Sequence, residues 1–306
     1  MALVLFTKIA SLFTIALGTY FLAKFHILRS EDSHTLSLVM LYLVCPCTIV
    51  SAFQIESTSE IRTGLLLALG AALMIHIILL VFNALIRKPL HLTPIEQSSF
   101  LYSNAGNIII PIVSSLLGSE WVIYTCAYIC VQIILLWTHC KQLVSGESRP
   151  NIKKILTNVN ILSILAGIII FVLNIQLPAF LQDAIDATAS MIGPIGMAIV
   201  GLMLAGMDFK SLFAKKRVWL IAFLRLIVAP LLFIFFLRLT GFGTGIQSSE
   251  TILLISLLAC SSAASTTVMQ MELIYGTDAQ YACAINVITT ILCILTMPLI
   301  VTIYEL

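Results

Sequence analysis

Runs of about 20 apolar residues constrain this chain more than anything else in it, because a helix of that length spans the ~30 Å hydrocarbon core of a bilayer. Ten such runs follow one another, near 3–26, 34–54, 61–86, 95–117, 119–142, 155–177, 181–207, 215–239, 249–274 and 279–304. Only 10% of the residues are charged and 60% are apolar, where a soluble domain averages about 25% charged. The expectation is an all-α integral membrane protein. Lys8 could belong to a basic leader, but no small-residue cleavage site follows before Lys24, so the first run is read as a retained span. No gap between runs is wide enough for a soluble domain, which argues against an attached ATPase.

The basic residues give an orientation. The connections after spans one, three, five and seven carry twelve of the sixteen Lys and Arg, among them Lys24, Arg29, Arg87, Lys88, Lys153, Lys154, Lys215 and Arg217. Only Lys8, Arg62 and Arg238 fall on the other side. Basic loops stay cytoplasmic, so both termini are expected outside. A net charge of +2 without a basic stripe is too small to imply a nucleic-acid partner, and none is expected. The eight cysteines contain no Cys-x-x-Cys pair and read as buried thiols. No metal and no cofactor is expected.

Ser103–Ile112 interrupts the apolar pattern. It reads Ser-Asn-Ala-Gly-Asn-Ile-Ile-Ile-Pro-Ile. Pro111 lacks an N–H, and its ring clashes with the carbonyl four residues back, that of Asn107. Irregular backbone at membrane depth is tolerated only where protein buries it or it lines a watery cavity. The expected break is therefore at Asn107–Pro111, and Asn104, Gly106, Asn107 and Pro111 are the first candidate ligand-binding residues. Half-helix N-termini carry partial positive charge and unpaired N–H groups suited to a carboxylate. Amides add donors without the cost of a buried cation, about 2.5–3.5 kcal/mol on insertion scales.

The two halves echo one another. Leu117-Gly-Ser-Glu120 leads into Tyr124-Thr-Cys-Ala-Tyr-Ile-Cys-Val131, as Tyr275-Gly-Thr-Asp278 leads into Tyr281-Ala-Cys-Ala-Ile-Asn-Val287. Pro46 at mid-span two has a counterpart in Gly193-Pro194 of span seven. Five spans per half is an odd number, so the second half runs inverted. The expected units are residues 1–143, a cytoplasmic loop 144–154, and residues 155–306.

These residues resemble the auxin efflux carrier family of bacterial and plant permeases over nearly the whole chain. The matches are Leu17-Gly-Thr-Tyr-Phe-Leu-Ala-Lys24, Asn104-Ala-Gly-Asn-Ile-Ile-Ile-Pro111, Pro194 through Gly201, and Tyr275-Gly-Thr-Asp278. The resemblance implies two inverted five-helix repeats, with the fourth and ninth helices interrupted and crossing near the membrane centre, as in bile-acid symporters and sodium/proton antiporters. Helices 1, 2, 6 and 7 would form a scaffold, and 3–5 with 8–10 a mobile transport domain. The implied activity is elevator-type transport of small organic anions, mono- or dicarboxylates such as malate or malonate, by a homodimer in a bacterial inner membrane. The family often carries a proline in the ninth helix as well. Here Cys260-Ser-Ser-Ala-Ala-Ser-Thr-Thr267 has none, so a gentler bend is expected there, with Ser and Thr bonding back to the helix.

Ser261, Ser262, Ser265, Thr266 and Thr267 would supply hydroxyls from that second crossover, unless they serve close helix packing. Gln132 and Asn286 stand at related places in the two halves, each able to reach the crossover or merely a neighbouring helix. Arg225, well inside span eight, is a functional candidate by default; it could meet the substrate, Glu272 or Asp208, or snorkel. His76 and Glu272 are further charge candidates, His76 for a coupling proton. The coupling ion would be H+ or Na+. A sodium-coupled symporter of the bile-acid type and a non-transporting ligand sensor on the same fold are the alternatives. An enzyme is not expected, since no Gly-x-Ser-x-Gly, His-Glu-x-x-His or paired intramembrane aspartates occur.

Overall fold

The computed structural model describes residues 2–56, 58–146, 157, 159–206, 216–275 and 278–306. Arg149, Lys153, Lys154, Asp208, Lys210 and Lys215, and Gly276–Thr277 of the echoed entry motif, lie outside the described residues. The chain is helical throughout, and among the described residues there is no strand, only one isolated β-bridge. The helices are α1 (Ala2–Lys24), α2 (Asp32–Ala52), α3 (Ser59–Ile86), α4 (Pro94–Leu101), α5 (a π turn Ala105–Ile109 running into Ile110–Leu116) and α6 (Ser119–Ser145). They continue as α7 (Val159–Leu173), α8 (Ala179–Ala205), α9 (Lys216–Thr240), α10 (Ser249–Ser261), α11 (Thr266–Tyr275) and α12 (Ala279–Glu305). Among the described residues six, namely α2, α3, α6, α8, α9 and α12, are long and apolar enough to cross a membrane. The expected spans four and nine are each interrupted, giving α4 with α5 and α10 with α11.

Proline is not what interrupts them. Pro46, Pro111 and Pro230 each stand two residues beyond a π turn, Met40–Val44, Ala105–Ile109 and Leu224–Val228. The carbonyl that each ring would strike, four residues back, lies inside that turn. The wider i→i+5 pattern moves it aside, so the helix carries on. The break expected at Asn107–Pro111 therefore falls earlier, at Tyr102–Asn104, where Tyr102 is extended (φ −108°, ψ 129°). Span nine was expected to bend gently. It is instead broken outright at Ser262–Ser265, with Ser262 at φ −74°, ψ 163°.

Packing places both breaks at the centre. Residues 95–105 and 252–265 are buried on every side, unlike the one-sided burial of a lipid-facing helix. Glycine sets the closest helix approach: a Cβ on Gly201 of α8 would lie 2.1 Å from the Ala16 carbonyl oxygen and from Thr19 Oγ1 of α1. Gly64 of α3 meets Tyr124 of α6 and Ile252 of α10 in the same manner. The start of α4 is anchored by Thr93 and Glu96, which cap each other's backbone N–H. The Glu96 carboxylate, fully buried, also receives Arg217 Nη2 at 2.6 Å from α9 and Tyr281 OH at 2.8 Å from α12. That joins three helices at the basic-loop end.

Candidate functional site

The two breaks lie against each other as a minimal antiparallel pair. Asn104 N–H donates to Ala263 O at 2.8 Å, and Ser265 N–H donates to Tyr102 O at 3.0 Å. These bonds flank the bridge between Ser103 and Ala264. Each interruption frees backbone groups that hydrocarbon cannot satisfy, and each supplies partners for the other.

The two bridging residues keep their own backbone groups for side chains. Gln132 of α6 accepts from Ser103 N–H at 2.9 Å and from Ser103 Oγ at 2.8 Å, and its amide donates to Ser103 O at 2.8 Å. Tyr128, one turn earlier, accepts from Ser103 Oγ at 3.3 Å. On the other side Asn286 of α12 donates to Ala264 O, while Thr289, one turn on, accepts from Ala264 N–H at 3.0 Å. Two helices from opposite halves thus clamp the bridge with amides at corresponding places.

Arg225 takes the remaining carbonyls. It sits in the π turn of α9 and is fully buried. Its Nη1 donates to Phe100 O at 2.9 Å and reaches Leu101 O at 3.5 Å, Nη2 donates to Cys260 O at 2.7 Å, and Nε to Ser262 O at 3.1 Å. The last carbonyls of α4 and of α10, which have no partners within their helices, converge on one guanidinium. Arg225 therefore neither snorkels nor pairs with Glu272.

On the opposite side of the bridge the first residues of α5 and α11 line a cavity of about 140 Å³. Its polar wall comprises Ser103, Asn104, Gly106, Gln132, Ser265, Thr266 and Thr267, with Ser37 of α2 and Asn160 of α7. Met40, Ile199 and Met203 face them from α2 and α8. Asn104 Oδ1 accepts from Thr266 Oγ1 at 3.4 Å, linking the two rims, and a Cβ on Gly106 would meet nothing within 4 Å. Among the described residues no charged side chain lines the cavity. It is smaller than the ~300 Å³ at which ordinary ligand pockets begin. A larger cleft of about 640 Å³ lies among the loops Phe53–Thr58 and Asn174–Leu177, and none of its lining residues belongs to the crossover.

The structure therefore brings together Asn104, Gly106, Gln132, Ser265 and Thr266, and leaves other candidates outside. Ser261 Oγ bonds back to Leu257 O at 2.7 Å and Ser262 Oγ to Ala259 O at 3.2 Å, so both hydroxyls are spent on the end of α10. Asn286 supports the bridge from behind, and Pro111 is buried inside α5. The Asn107 side chain lies outside the described residues. His76 is buried in α3 with Nδ1 2.7 Å from Ala72 O and its ring 4.9 Å from that of Tyr128; it does not line the cavity, and neither does the buried Glu272. Tyr128, Thr289, Ser37 and Asn160 were not foreseen. Helical spacing held a signal for the first two, since Tyr128 shares a face with Gln132, and Thr289 with Asn286. His139, near the end of α6, places its Nδ1 2.7 Å from Tyr102 OH.

A family model described as membrane transport protein matches residues 4–153 and 148–301. No curated relative matches the chain at a significant level.

Proposed function

The chain belongs to the membrane transport protein family, the auxin efflux carrier type, and from that premise we propose that it carries a small organic anion, a mono- or dicarboxylate, across the membrane. The observation that carries this reading is the cavity rimmed by the first residues of both interrupted helices. Two helix N-termini facing one space offer partial positive charge and N–H donors to a carboxylate. Asn104, Gln132, Ser265 and Thr266 add neutral polar groups around it. The small volume suits a compact acid.

In this reading the ten spans form two inverted repeats, supported by the matched clamps of Gln132 on Ser103 and of Asn286 with Thr289 on Ala264. The cavity walls from α2, α7 and α8 belong to a scaffold, and the crossover to a body that slides along it, as in elevator transport. Ser37, Asn160 and Met203 stand near the basic-loop ends of their helices, while α5 packs on α1 and α8 beyond the crossover. In this reading the cavity lies toward the cytoplasmic side.

The test is uptake of a panel of radiolabelled acids, malonate first, by proteoliposomes containing the purified protein. Asn104→Ala should lose most of the uptake while remaining monodisperse. Wild-type rates from that variant would sink the assignment of the site.

A further inference from the structure

We infer that Arg225 is a positioning residue that holds the two crossovers as one body by cancelling the negative ends of both preceding half-helices. This leaves the cavity facing helix N-termini alone, and it rests on the reading of that cavity as the carrier's site. A broken helix has two ends. At each break here the C-terminal end, with its outward-pointing carbonyls and about half a unit of negative charge, lies within ångströms of the following N-terminal end. Uncompensated, those carbonyls would offset much of the attraction that the N-termini hold for an anion.

Arg225 removes that opposition for both breaks at once. Its three nitrogens divide among Phe100, Leu101, Cys260 and Ser262, two carbonyls from each interrupted span. Among the described residues no carboxylate bonds it; the compensating negative charge is the pair of helix ends. A planar fork with donors in fixed directions suits four carbonyls spread over two chain segments. The π turn Leu224–Val228, accommodating Pro230, is where α9 presents it. Arg225 does not line the cavity. It acts through the backbone it holds.

Charge and packing make different demands, and that difference gives the test. Arg225→Lys keeps the positive charge with a less suitable donor geometry; Arg225→Met keeps the apolar stem and loses the charge. Both variants and wild type are placed in nanodiscs, and backbone hydrogen exchange is followed over peptides covering 102–106 and 262–268, with α1 and α8 as reference. Exchange at the crossover should rise by about tenfold or more in Arg225→Met, and clearly less in Arg225→Lys, with the reference helices unchanged. Exchange in the lysine variant equal to or faster than in the methionine variant overturns the proposal, as does equal loosening of the reference helices. If Arg225→Met fails to fold, Arg225→Gln takes its place in the same comparison. Malonate uptake by the same proteins should fall further in the uncharged variant than in Arg225→Lys. A wild type that moves none of the acid panel counts against the carrier reading, and the exchange comparison still decides the role of Arg225.

Discussion

Replacing Gln132 by leucine should loosen one side of the crossover without opening a void. The two side chains are of similar size, and Gln132 is only 4% exposed. What disappears is the amide that serves Ser103 N–H, Ser103 Oγ and Ser103 O. The hydroxyl can still turn to Tyr128, whose OH is 3.3 Å away. The backbone N–H and C=O cannot turn. Two orphaned groups at about 1–3 kcal/mol each give a loss of about 2–6 kcal/mol, toward the lower end where water from the cavity reaches them. At about 2 °C per kcal/mol for a chain of this size, apparent Tm should fall by ~4–12 °C. Asn286→Leu is the matched comparison. It orphans only Ala264 O, because Thr289 still accepts from Ala264 N–H, so its loss should be about half as large. Thermal unfolding of both variants in one detergent, followed by intrinsic tryptophan fluorescence, measures the two losses. A Gln132→Leu protein that melts with wild type, or above Asn286→Leu, would refute the clamp.

Two further outcomes follow from the same geometry. Gly201→Ala should abolish accumulation of folded protein, since its Cβ would sit 2.1 Å from backbone of α1, whereas Gly106→Ala, with open space around it, should fold normally and alter only uptake; size-exclusion profiles and flux assays separate the two. Ser103 and Ala264 are the non-hydrogen-bonded pair of the bridge, with a Cα separation near 4.5 Å, so Ser103→Cys with Ala264→Cys, in a background freed of the native cysteines, should cross-link under mild oxidant. Uptake should survive the cross-link if the crossovers travel together; loss of uptake on oxidation, restored by reductant, would contradict that.

Much of this was legible in the residues. Apolar runs located the helices, because only a helix satisfies its backbone within a single segment in lipid. Polar residues inside those runs marked the two interrupted spans, and the related positions of Gln132 and Asn286 were visible, though not that both amides serve the bridging backbone. The location of the breaks was not legible. Pro111 drew attention as a helix breaker, yet a π turn absorbs it, and span nine breaks with no proline at all. Pairing between segments about 160 residues apart, Ser103 with Ala264, decides both breaks, and local propensity carries no trace of that. The same holds for Arg225, whose partners are backbone carbonyls of any residue type. For Ser261 and Ser262 both roles stayed open in the sequence, because a serine facing a cavity and one bonded to its own helix read alike.

The isolated β-bridge also sets an order of assembly. Tyr102–Asn104 reaches the membrane early in synthesis, but its backbone partners are Ala263 and Ser265, and Arg225 must also be in place for the carbonyls of Phe100 and Leu101. Until those residues emerge, the fourth span holds an open backbone that hydrocarbon does not accept. The amino-terminal half is thus an unfinished object on its own, obliged to wait beside water, a translocation channel or a chaperone until the second half arrives to close it. Two hydrogen bonds of β-structure make biogenesis of the whole chain a single event.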